Sequence, residues 1–121
     1  MKNIHVTIYT KETGRLDLTI EEYKNFDFYK VIYHRLDGPA VIYYYTTENV
    51  ECVFYYNNDQ RHRTNGPAII YYYPDGRVKR EYYYINNHPY KKEDYYNLIN
   101  EMKSLPESLR LTHELWWVRE L

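Results

Sequence analysis

Residues 34–45 read His34-Arg35-Leu36-Asp37-Gly38-Pro39-Ala40-Val41-Ile42-Tyr43-Tyr44-Tyr45. They recur without a gap 28 positions later as His62-Arg63-Thr64-Asn65-Gly66-Pro67-Ala68-Ile69-Ile70-Tyr71-Tyr72-Tyr73. The same offset carries Val50 onto Val78, Phe54-Tyr55-Tyr56 onto Tyr82-Tyr83-Tyr84, and Asn58 onto Asn86. One more step places His62-Arg63 on Tyr90-Lys91, where the pattern stops. The chain therefore holds two full repeats and the stub of a third, and a repeated unit of this size is one supersecondary element that buries its apolar face against its neighbours.

Each unit reads as a β-hairpin. Residues 40–46 are β-branched and aromatic with no helical periodicity. Thr46-Thr47-Glu48-Asn49 and Pro74-Asp75-Gly76-Arg77 supply the turns, and residues 50–57 and 77–85 the return strands. Asn57-Asn58-Asp59 and Asn86-Asn87 then turn the chain again, because Asn and Asp tolerate the left-handed region. Gly38-Pro39 and Gly66-Pro67 mark the start of each new hairpin, where proline costs no ladder bond.

Working outward, Ile4, Val6 and Ile8, then Leu16, Leu18 and Ile20, alternate with polar residues around Thr10–Gly14 and predict an N-terminal hairpin. Residues 26–33 are expected to add a lead-in strand, giving about seven strands in an antiparallel meander. After Pro89 the period changes. Tyr95, Leu98, Ile99, Met102 and Leu105 follow helical spacing, with Glu93 and Asp94 at the favoured N-terminal end. Pro106 ends that helix or opens the next, and Thr112 is the expected N-cap of a last helix carrying Leu115, Trp116, Trp117, Val118 and Leu121. The expected fold is mainly β: a meander of hairpin repeats with a helical C-terminal cap. It forms one domain over 1–121, divided into 1–33, 34–91 and 92–121.

Composition fits a single small domain. The chain has 121 residues, a net charge of −1 and one cysteine, Cys52, so neither a disulfide framework nor a multi-thiolate zinc site is available. No apolar run is long enough for a spanning helix, and the polar-interrupted N-terminus is unlike a secretory signal. The expectation is a soluble, cytoplasmic protein. Tyrosine is the anomaly: 18 residues, without which the apolar fraction falls from 44% to about 29%, so the rings must serve as core material. Charge is uneven, since residues 61–92 carry seven cations against two carboxylates while the remainder is net negative.

The unit His-Arg-x-Asp-Gly-Pro-Ala, followed by an aliphatic-aromatic strand, a turn, an aromatic strand and an Asn-containing turn, resembles a variant MORN-type repeat, as found in small bacteriophage, viral and bacterial proteins. Residues 34–40 match its opening in full, and residues 62–68 match with Asn65 for Asp. Tyr55 and Tyr83 stand at its Trp/Tyr position, while Asn58-Asp59 and Asn86-Asn87 depart from its Asn-Gly turn. The resemblance covers about half the chain. It implies a structural repeat used as an interaction surface and names no reaction.

Residues able to carry chemistry are few. His34, Arg35 and Asp37 could suggest acid–base work, but Asn65 in the second copy cannot accept a proton at ordinary pH. They are better read as shaping the turn, with Asp37 accepting backbone N–H bonds. His34, His62 and His88 lack the short spacing of metal ligands, and one hairpin separates the first two by roughly 10 Å. Cys52 has no neighbour in sequence to activate it. No phosphate loop or nucleophile elbow occurs. No enzyme, metal or cofactor is expected.

Alternation places Ala40, Ile42 and Tyr44 on one sheet face and Val41, Tyr43 and Tyr45 on the other, and both faces carry aromatic rings. One set of C-terminal helices can cover only one of them. The remaining rings either pack across strands or form a platform for a partner, since tyrosine offers large contact area at low entropy cost. The candidate partner-binding set is Tyr43, Tyr45, Tyr56, Tyr71, Tyr73 and Tyr84. The leading expectation is a non-enzymatic binding protein. By resemblance to small phage proteins, its partner is a host factor, for example a defence component whose surface is blocked. The alternatives are sequestration of a small anionic ligand or nucleotide by Arg63, Arg77, Lys79 and Arg80 with tyrosine stacking, and a structural module that forms homodimers through exposed strand edges.

Overall fold

The computed structural model describes residues 3–121. Seven strands form one antiparallel sheet in the order β2-β1-β3-β4-β7-β8-β9. They are β1 (Val6–Thr10), β2 (Gly14–Leu18), β3 (Val41–Tyr44), β4 (Val50–Phe54), β7 (Ile69–Tyr72), β8 (Val78–Ile85) and β9 (His88–Tyr90). Two short strands, β5 (Tyr56–Asn57) and β6 (Gln60–Arg61), form a separate ribbon. The mainly-β meander with C-terminal helices is thus the fold of the chain.

The two copies superpose bond for bond. Ala40 N–H reaches Phe54 O and Ala68 N–H reaches Tyr82 O, both at 2.8 Å. The β3–β4 and β7–β8 hairpins carry the same bulge, between Tyr43 and Tyr44 and between Tyr71 and Tyr72. Both hairpin turns close through a residue at positive φ, Glu48 at 74° in the first copy and Gly76 at 93° in the second. The next turns are also equivalent: Asn58 and Asp59 lie at φ 48° and 67°, Asn86 and Asn87 at 47° and 68°. Two consecutive left-handed residues mark the mirror-image two-residue turn that suits right-handed strand twist, so Asn-Asp and Asn-Asn do here what Asn-Gly does elsewhere.

Arg35 and Arg63 hold the strands together. The Arg35 guanidinium lies 3.9 Å over the Tyr9 ring and donates to Asp37 Oδ1 (3.0 Å) and Pro39 O (3.1 Å). Arg63 lies 4.0 Å over Tyr55 and donates to Asn65 Oδ1 (3.0 Å) and Pro67 O (3.1 Å). A Cβ at Gly38 would fall 2.8 Å from Arg35 Cζ, so the glycine leaves room for the stacked guanidinium. Asp37 therefore takes a guanidinium as its side-chain partner, and Asn65 can replace it because only an acceptor is needed. The histidines are turn acceptors: His34 Nδ1 takes the Asn58 N–H and His62 Nδ1 the Asn86 N–H, each at 3.0 Å.

Three local expectations are corrected. The alternation through Ile20 breaks because Thr19 and Glu22 form a reciprocal capping box that starts α1 (Ile20–Lys24). Residues 26–33 form a 3₁₀ turn over Phe28–Lys30 rather than a strand, its first N–H bonds taken up by Asp27, with one isolated bridge from Tyr33 to Thr10. Thr112 closes α3 (Glu107–Leu111), its hydroxyl donating to Ser108 O, while α4 (Trp116–Arg119) is preceded by Leu115.

Two apolar clusters sit on opposite faces at opposite ends of the sheet. At the N-terminal end, Val6, Ile8, Leu18 and Val41 are covered by Tyr23 of α1 and by Phe26. At the other end, Tyr83 and Ile85 are covered by Tyr95 and Ile99 of α2 (Lys92–Lys103) and by Trp117 and Val118. Tyr95 stands where a further arginine clamp would fall. Its hydroxyl donates to Arg63 O (2.6 Å) and accepts from Gly66 N–H (3.2 Å), with its ring 4.8 Å from Tyr83.

Candidate binding surface

The face bearing Val41 carries a row of rings across four strands. Tyr43, Phe54, Tyr71 and Tyr82 follow one another edge to face, with centroid separations of 6.0, 6.2 and 6.1 Å. Strand pairing dictates this order, since Tyr43 and Tyr71 both flank Cys52, while Phe54 and Tyr82 both flank Ile69. Such pairs stabilise by about 0.5–1.5 kcal/mol each beyond simple burial.

The row is covered at one end and open at the other. The Tyr43 hydroxyl meets that of Tyr23 at 3.3 Å, and burial pushes its ionisation well above the ordinary tyrosine range. Tyr56 stacks against Phe54 (6.3 Å) and lies 5.3 Å from Tyr33, whose hydroxyl burial drives up to about 12. Tyr45 reaches across the strands to donate to Tyr72 O at 2.5 Å. These three members of the candidate set are engaged in packing. Cys52 lies beneath the covered end, and burial pushes its thiol up to about 12, so it stays protonated.

Tyr71 and Tyr84 lie toward the open end, together with Tyr82, which is 40% exposed and was not singled out from sequence, while Tyr73 sits at the hairpin tip under Arg77. Its signal was available: Phe54, its equivalent, has no hydroxyl, so the second copy carries a polar rim where the first is covered. A cavity of about 550 Å³ opens here between Phe54, Ile69 and the rings of Tyr71, Tyr82 and Tyr84, edged by Arg61, Lys79 and Arg80. Arg61, also missed from sequence, lies 4.5 Å over the Tyr84 ring and donates through Nε to Asn87 Oδ1 (2.9 Å).

The four candidate cations separate. Lys79 and Arg80 edge the cavity. Arg63 is the clamp on Tyr55 and lies elsewhere. Arg77 pairs with Asp75 at 2.7 Å and lies over Tyr73 at 5.1 Å, at the hairpin tip. Among the described residues no group of three or more metal-ligating side chains occurs, and no helix is long and apolar enough to cross a membrane. No protein family, curated protein or solved structure matches this chain.

Proposed function

We propose that the chain is a non-enzymatic binding module that engages a protein partner through the open half of the aromatic row on β7 and β8. One observation carries this reading: a continuous line of rings covered by the chain's own residues at Tyr43 and left uncovered at Tyr82, beside a wide cavity. Half-exposed tyrosines and arginines around a concave surface that also holds Phe54 and Ile69 are the kind of arrangement that concentrates binding energy in protein interfaces. The likeness to MORN-type repeats supports an interaction role, and the likeness to small phage proteins supports a host factor as partner. A second reading, sequestration of a small anion, draws on the cations edging the same cavity.

The test is capture of a stoichiometric partner from host lysate by the full chain, with Y71S/Y82S and Y29S variants alongside. Tyr29 is fully exposed away from the row and serves as the control. The reading expects Y71S/Y82S to lose the partner and Y29S to keep it, with unchanged far-UV circular dichroism. Capture undiminished by Y71S/Y82S would falsify it.

A further inference from the structure

We infer that the partner presents an extended acidic segment to β8, with two carboxylates flanking an apolar side chain in an acid-x-apolar-x-acid pattern. This rests on the protein-binding reading above and specifies its chemistry.

The first ground is a comparison the chain makes with itself. At the 28-residue offset, Glu51 becomes Lys79, Cys52 becomes Arg80 and Asp59 becomes Asn87. Two carboxylates are removed and two cations added, yet the backbone bonds and the bulge are the same in both copies. The hairpin therefore does not require these charges. Solvation would explain a polar residue at the exposed position 80, but not a change of sign at position 79.

The second ground is that the cations are unmatched within the chain. None of the ion pairs among the described residues involves Arg61, Lys79 or Arg80. Glu81 belongs to the opposite face, where it acts on Tyr83. Asp75 is paired with Arg77. The adjoining strand β7 carries no carboxylate, and Glu51 stands on β4, one strand further, and joins none of these ion pairs. Arg61 is anchored by the neutral amide of Asn87, so its charge is fixed in place without being neutralised.

The third ground is spacing. Arg80, Tyr82 and Tyr84 fall at i, i+2 and i+4 and so share one face of β8, and the Arg61 guanidinium caps the Tyr84 ring. Read along the strand, the surface is cation, ring, cation, with about 13 Å between its ends. An extended peptide repeats its same-side residues at that same interval, so carboxylate, apolar and carboxylate groups two apart meet the three positions in register.

The test is a titration of the ¹⁵N-labelled full chain with three ten-residue peptides and with AMP. The peptides carry at their centres Glu-Ser-Leu-Ser-Glu, its Gln-Ser-Leu-Ser-Gln counterpart, or the scrambled Leu-Ser-Glu-Glu-Ser. The first should shift the amides of residues 61 and 79–84. The Gln peptide and the K79E/R80E variant should each weaken binding about tenfold, as two partly exposed charge pairs would. Equal binding of the Glu and Gln peptides would overturn the acidic partner while leaving the protein-binding surface intact. Equal binding of the scrambled peptide would overturn the spacing. Shifts at these amides from AMP and from no peptide would overturn the protein-binding reading itself in favour of a small anion.

Discussion

Residues 34–61 and 62–89 are two printings of one hairpin, and their differences lie in what surrounds them rather than in how they fold. Each has an arginine stacked on a tyrosine earlier in the chain (Tyr9 of β1, and Tyr55 just after β4), a histidine closing the following turn, and a bulge at the same place. The first copy has its aromatic row covered by α1 and its lead-in loop half open; the second has its row open and its lead-in histidine covered by Trp116. Residues kept between copies hold the hairpin, and residues that change respond to the covering. The candidate binding surface therefore joins rings kept between the copies, Tyr71 and Tyr84, to residues that change, Lys79, Arg80 and Tyr82.

Loss of the shared clamp should cost either hairpin the most stability. Arg63→Ala and Arg35→Ala should each destabilise the fold by about 2–3 kcal/mol, losing a ring contact and bonds to a carbonyl and a side-chain acceptor. Lysine should restore little, because one ammonium cannot lie flat on the ring and serve both acceptors. Unfolding free energies from denaturant titration that differ between the two alanine variants by more than about 1 kcal/mol would show that the copies do not use the clamp alike.

A smaller effect is expected at His62. His62 is 8% exposed, lies 4.7 Å from Trp116, and burial pushes its ionisation down to about 4. Its folded pKa lies below the unfolded value, so its contribution is fully present above about pH 6.5 and lost as pH falls toward 4. Thermal melts across that window should show a loss of about 2 kcal/mol attributable to this group. His62→Gln should flatten that part of the profile. A His62→Gln profile parallel to that of the native chain would remove this assignment.

The hairpin tips differ by a single backbone preference. Glu48 holds a φ of 74° that Gly76 meets in the other copy without a Cβ. Glu48→Gly should therefore stabilise by about 0.5–1 kcal/mol, and Gly76→Ala should destabilise by a similar amount. A lowered melting temperature for Glu48→Gly would mean that the glutamate side chain has a role that the turn geometry does not show.

The hairpins were legible because the internal repeat fixed register, bulge and turn twice over. The helix over 92–103 was legible from its period. The start of α1 was written in Thr19 and Glu22, but the alternation of Leu16, Leu18 and Ile20 ran past it and concealed it. The clamp was invisible in one dimension: Arg35 meets Tyr9, a residue brought near only by sheet formation. For the same reason the candidate tyrosines could be named as a set, but not divided into those covered by Tyr23, Tyr33 or the Tyr72 carbonyl and those left open. Arg61 escaped notice because its importance depends on Asn87 and Tyr84, which meet it only across the last turns.

Tyr95 gives the pattern its length. A sheet in which every copy grips only its predecessor has no internal reason to stop at any number. By offering one hydroxyl to the Arg63 carbonyl and the Gly66 amide, the helix ends the series with a side chain that belongs to no copy. Growth or shortening by whole 28-residue steps between the N-terminal hairpin and this terminator leaves both ends chemically unchanged. The reach of the surface can thus be altered by duplicating a stretch of gene, with no new solution to folding required.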